Sequence, residues 1–152
     1  MKKKTITLIG GSGFLAKYCI SQLLKDGHNV VAVCRNPYLA GDLRMMGPLD
    51  KLDIFGANII NKESIEPYIK SSDIVINLVG ILFESGRDQT FENCHTLGAK
   101  NIAELSKKYG IQRLIHFSSI GADVDSESKY QKSKGLGEKY ITEIFPNSTI
   151  IR

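Results

Sequence analysis

Between an apolar, β-branched run, Thr5 to Ile9, and an amphipathic run that begins at Phe14 lies Gly10-Gly11-Ser12-Gly13-Phe14-Leu15-Ala16, and no other segment restricts the fold as much. Glycines at positions 10, 11 and 13 allow backbone torsions closed to other residues and leave a bare main chain. Where a strand hands over to a helix, such a main chain points unpaired N–H groups at one place, which suits a phosphate group. The run satisfies both G-x-G-x-x-A, counted from Gly11, and G-x-x-G-x-x-A, counted from Gly10. Gly10 is expected to make the tight turn. Gly11 and Gly13 are expected to admit a pyrophosphate without a Cβ in the way, and the small Ala16 to let the helix close on the strand. A turn serving geometry alone would not need three glycines at this spacing.

Short β-branched runs alternate with longer amphipathic ones, the pattern of a parallel sheet covered by helices on both faces. Six strands are predicted: Thr5 to Ile9, Asn29 to Cys34, Lys51 to Phe55, Ile74 to Val79, Arg113 to Ser118 and Ser148 to Ile151. The first helix carries Leu15, Cys19 and Leu23 at helical spacing, widened by Ile20 and Leu24, with Gly27 as its stop. Lys62 to Lys70, Phe91 to Tyr109 and Glu127 to Phe145 read as further helices, and Tyr38 to Pro48, interrupted by Pro and Gly, as a short one. Right-handed crossovers and one chain reversal give an α/β, Rossmann-type doubly wound parallel sheet of order 3-2-1-4-5-6, with a ligand crevice at the carboxyl ends of strands 1 and 4. The 152 residues suffice for a single domain with its own core, spanning 1–152.

Strand 2 ends at Arg35. A site for NAD(H) ordinarily places Asp or Glu there to hold the ribose 2′-hydroxyl, and no acidic residue occurs between Asn29 and Leu39. A guanidinium can instead pair with a 2′-phosphate and stack on adenine, so NADP(H) is expected over NAD(H). Lys17, one turn into the first helix, either adds charge near the phosphates or faces solvent. Cys19, Cys34 and Cys94 are widely spaced and free of CxxC or Cys/His pairing, which predicts buried thiols and no metal site. The net charge of +4 includes Lys2, Lys3 and Lys4 at a solvated terminus, and no basic stripe with interleaved aromatics suggests nucleic acid. The apolar runs are too short to span a bilayer. With the lysines leading directly into a strand, no targeting segment is expected, and the protein is expected to remain in the cytoplasm.

Gly-Gly-Ser-Gly-Phe-Leu-Ala, Asn77-Leu-Val-Gly80, Phe117-Ser-Ser-Ile-Gly121 and Tyr130-x-x-x-Lys134 resemble the extended, or atypical, branch of the short-chain dehydrogenase/reductase superfamily along the whole chain. Within that branch, Ile76 to Gly86, Thr90-Phe-Glu92 and His95 resemble the family of NADP(H)-binding accessory subunits of respiratory complex I and their bacterial relatives. The resemblance implies a nicotinamide dinucleotide held in a largely structural role. It places Gly10, Gly11, Ser12, Gly13, Phe14 and Leu15 at the pyrophosphate, Arg35 at the 2′-phosphate, Val79 and Gly80 at the adenine ribose, and Asn58 near adenine. It also implies Tyr130 as general acid or base, Lys134 as its partner on the nicotinamide ribose, and Ser119 as the substrate-orienting hydroxyl, although extended relatives can place that hydroxyl where this chain has Ile120. Tyr130 and Lys134, at i and i+4 on a helix, can face one crevice. His28, His95 and His116 are expected to be structural.

In such relatives a substrate lobe follows the sixth strand, and it is expected to be absent here, leaving an exposed edge open to pairing with another chain. Two functions are open, the first of them also in a variant form, an NADP(H)-sensing regulator that changes partners on cofactor binding. One is a binding module acting in the structure or assembly of complex I or another membrane-associated oxidoreductase, with a peripheral position at the inner membrane. The other is an NAD(P)-dependent reductase, epimerase or dehydratase that uses Tyr130, Lys134 and Ser119.

Overall fold

The computed structural model describes residues 2–48 and 50–152. Strands β1 (Thr5–Ile9), β2 (Asn29–Cys34), β3 (Leu52–Gly56), β4 (Ile74–Asn77), β5 (Arg113–Phe117) and β6 (Thr149–Ile151) form one sheet of order β3-β2-β1-β4-β5-β6. Every neighbouring pair is parallel. This is the class and strand order expected. The crossovers are α1 (Phe14–Lys25), a kinked 3-10 segment (Pro37–Met45), α2 (Lys62–Lys70), α3 (Gly98–Lys108) entered through a π turn (Glu92–Leu97), and α4 (Lys129–Ile144).

Because successive strand side chains point to opposite faces, each of the four inner strands feeds two cores. On one face Ile6, Leu8 and Ala32 meet Ile20 and Leu24 of α1 and Leu43 of the 3-10 segment. On the other, Val31, Val75 and Leu114 meet Ile65 and Ile69 of α2, Ile102 and Leu105 of α3, and Ile141 of α4. The stripe of α1 lies toward one side of the one expected: Ala16, expected to close on the strand, is buried together with Ile20 and Leu24, whereas Leu15 is 49% exposed. The residue with the smallest side chain faces the strand because the backbones approach most closely there. Gly27 does stop α1, its N–H bonded to Leu24 O and that of His28 to Leu23 O, and Gly110 ends α3 in the same way.

Two further departures from the expected boundaries shape the crevice. Strand β4 stops at Asn77 rather than Val79, because Asn77 Oδ1 accepts the N–H of Val79 at 3.1 Å and turns the chain out of the sheet. The long helix expected from Phe91 begins with the π turn, which faces α4 at close range: a Cβ on Gly137 would lie 2.5 Å from His95 O. Thr96 Oγ1 also donates to Ser133 O.

Candidate functional site

A cavity of about 230 Å³ opens at the carboxyl ends of β1, β2 and β4. Gly10, Ser12, Gly13, Arg35, Asn58, Val79 and Gly80 line it, so seven residues singled out from the sequence converge on one cleft. Gly10 adopts φ +87°, and a Cβ there would sit 3.1 Å from Val79 N, so only glycine lets the turn nest against the segment after β4. The N–H groups of Gly10 and Gly11 both donate to Val33 O, which pins the turn to β2. Gly13 caps α1 with no side-chain hydrogen bond, leaving the first-turn N–H groups for a ligand.

Gly11, Phe14, Leu15 and Lys134 do not line this cleft. Gly11 lies beneath it, where a Cβ would be 2.8 Å from Ala32 Cβ; its bareness serves the packing of the turn on β2. Phe14 and Leu15 turn their side chains outward and have only main-chain groups to offer. Lys17 pairs with Asp42 of the 3-10 segment. Asn58 spends its Oδ1 on Ile60 N and its own N–H on Ser64 Oγ, so its side-chain amide donors remain for the cleft.

Arg35 stands exposed immediately after β2, and its Nη1 donates to Gln89 Oε1 at 2.7 Å. Gln89 and Asp88 line the cleft together with Cys34 and Cys94, and none of these four was expected there from the sequence. The available signal was topological, since loops after β1 and β4 flank the crevice of an open parallel sheet. Burial raises the pKa of both thiols. Cys34 and Cys94 are free and buried as expected, and Cys19 is free but partly exposed.

The expected catalytic set stands apart from the cleft. Lys134 is 3% exposed on α4 and donates from Nζ to Phe117 O at 2.9 Å; burial pushes its pKa down to about 8. Ser119 Oγ is buried without a hydrogen-bond partner among the described residues. The Tyr130 ring meets His95 and Phe91 edge to face. His95, 2% exposed, accepts the N–H of Ile81 at Nε2 (2.9 Å), and its Nδ1 lies 2.9 Å from Ser133 Oγ. Since the backbone can only donate, Nδ1 carries the ring proton and gives it to Ser133, whose hydroxyl donates to Tyr130 O. Burial, with the Lys134 charge, lowers the His95 pKa to about 4. Burial likewise lowers that of His116 to about 3; Asn77 Nδ2 lies 3.0 Å from His116 Nδ1, and His116 Nε2 has no partner among the described residues. His28 accepts the N–H of Lys4. All three histidines are thus tied into the structure, as expected.

The chain is 36% identical over 148 residues to the mitochondrial NADH-ubiquinone oxidoreductase 40 kDa subunit of Neurospora crassa, covering 97% of this chain and 39% of that protein. It is 36% identical over 147 residues to the mouse mitochondrial NADH dehydrogenase [ubiquinone] 1 alpha subcomplex subunit 9, covering 96% and 39%. It therefore spans about two fifths of the length of these relatives. Among solved structures, a Bacillus halodurans protein of the NAD-dependent epimerase/dehydratase type superposes with a TM-score of 0.83 at 28% identity, covering 98% of this chain and 69% of that one. With a family match across residues 10–151 added to this cleft and strand order, the chain belongs to the NAD(P)H-binding family and is closely related to the complex I 40 kDa accessory subunits.

Proposed function

We propose that this domain binds NADP(H) in preference to NAD(H) and that its role is structural or in assembly, in complex I or another membrane-associated oxidoreductase. The observation that carries the cofactor preference is Arg35, a guanidinium lining the cleft directly after β2, where an NAD(H) site ordinarily has a carboxylate. The cleft suits a dinucleotide in its donor set. The bare turn at Gly10, Ser12 and Gly13 and the uncapped start of α1 would receive the pyrophosphate, Val79 and Gly80 the adenine ribose, and the Asn58 amide the adenine edge. The likeness to the 40 kDa subunits supports the assembly role. No helix among the described residues is long and apolar enough to cross a membrane, which is consistent with a peripheral position.

Titration of the protein with NADPH and NADH tests the preference. Wild type should bind NADPH more tightly, and Arg35→Ala should lose about 10- to 100-fold in NADPH affinity while changing little toward NADH. Equal affinities that the substitution leaves unchanged would remove Arg35 from the site.

A second reading, a reductase, epimerase or dehydratase, is favoured by Lys134 and Ser119. A nearly buried cation and a hydroxyl without a partner among the described residues lie close to the end of β5, with Tyr130 one turn before Lys134 on α4. A bound nicotinamide would supply hydride exchange. Tyr130 would hold or release the proton at its hydroxyl, Lys134 would favour the phenolate by its charge, and Ser119 would orient the substrate oxygen. Tyr130→Phe should then abolish cofactor-dependent turnover while leaving NADPH binding intact; unaffected turnover would dismiss Tyr130 from the chemistry.

A further inference from the structure

The segment between β4 and the π turn crosses the mouth of the cleft as a closed hairpin. Ser85 N donates to Gln89 O at 2.9 Å around Gly86, and Glu84 Oε1 accepts the N–H of Phe91 at 2.8 Å across the hairpin's neck. Gln89 Nε2 and Asn93 Nδ2 add bonds to Phe83 O and Asp88 O. All these bonds stay within the hairpin or join it to the π turn beside it. Among the described residues, only the bond from Arg35 Nη1 to Gln89 Oε1 ties it to the opposite wall, built on β2. Asp88, next to Gln89, puts a carboxylate in the same wall of the cleft.

We infer that Gln89 is a specificity-determining residue: it competes with a ribose 2′-phosphate for Arg35, so the hairpin from Ile81 to Thr90 is a latch that NADP(H) releases and NAD(H) leaves closed. The inference rests on the proposed role of Arg35. A 2′-phosphate draws the guanidinium into charge-assisted, paired hydrogen bonds, which a neutral amide oxygen cannot match. The same phosphate repels Asp88, so attraction of Arg35 and repulsion of Asp88 both act to free the hairpin. NAD(H), with a neutral 2′-hydroxyl, exerts neither effect. Internally bonded, the hairpin then swings from its neck as one body, carrying exposed Leu82 and Phe83 with it. Cofactor identity is thereby converted into the position of a surface loop.

Titrating wild type, Gln89→Ala, Gln89→Glu and Arg35→Ala with NADPH and NADH, alongside limited trypsin cleavage after exposed Arg87 in the hairpin, tests the latch. Removing the competitor in Gln89→Ala should tighten NADPH binding by about three- to tenfold and leave NADH unchanged. Gln89→Glu, whose carboxylate holds Arg35 more firmly, should weaken NADPH binding only. NADPH, and not NADH, should speed cleavage after Arg87 in wild type, and Gln89→Ala should be cleaved at the faster rate without cofactor. The latch is overturned, with the Arg35 assignment intact, if Arg35→Ala abolishes an NADPH preference while Gln89→Ala leaves or weakens NADPH affinity, or if NADPH protects Arg87. Arg35→Ala without effect on either cofactor removes the underlying assignment, and the latch with it.

Discussion

At the β1–β2 end of the crevice, the groups available to a ligand are main-chain amides, one exposed guanidinium and the Asn58 amide. At the β4–β5 end, outside the cleft, stand the side chains of His95, Ser133 and Lys134, each nearly excluded from solvent and bonded to the protein itself. Backbone donors come with the fold and cost nothing further to position. Buried titratable groups must be desolvated, and they hold only while their partners do. Affinity and stability are therefore separable at the first end and entangled at the second.

The largest test of that contrast is acid. His95 and His116 have pKa values of about 4 and about 3 against 6.5 for a free imidazole, so the unfolded chain takes up their protons first. Their contribution should be complete above about pH 6.5 and lost as the pH falls through 4 and then 3. Denaturant titrations should show a loss on the order of 3 kcal/mol for His95 and about 5 kcal/mol for His116 by the bottom of that window. His95→Gln should flatten the upper part of the slope, and an unchanged slope would detach His95 from it.

Next in size is Gly137→Ala, which puts a Cβ against His95 O at 2.5 Å and should cost about 1–3 kcal/mol even though alanine favours helices. Lys134→Met removes a charge that burial disfavours and should raise the unfolding free energy at pH 7 by about 1 kcal/mol. A fall of that size would instead mean that the bond to Phe117 O outweighs desolvation. The smallest effect belongs to the open end: Arg35→Ala should stay within about 0.5 kcal/mol of wild type in stability, whatever it does to cofactor affinity.

The same division governs what could be read from the chain. The glycine turn, Arg35 and the strand order are local or periodic signals, and Asn29–Cys34 was legible because β-branched residues run without interruption between turn residues. The packing role of Gly11 was hidden because its neighbour is Ala32, a residue known only once β2 lies beside β1. Gln89 is separated from Arg35 by 54 positions, and nothing in either segment announces the other. The exposure of Leu15 escaped because Leu15, Cys19 and Leu23 make as good a helical stripe as Ala16, Ile20 and Leu24. Close backbone approach, a property of the neighbouring strand, selects the second.

The run of hydrogen bonds through His95 starts at the amide of Ile81 and ends at the carbonyl of Tyr130. Both terminal groups belong to peptide units, which neither give up nor accept a proton near neutral pH, and every hydrogen between them has a single direction. Such a chain cannot conduct. It is a strut: it fixes the loop at Ile81 against the helical turn that carries the Tyr130 ring, and what it joins is position without any transfer of charge.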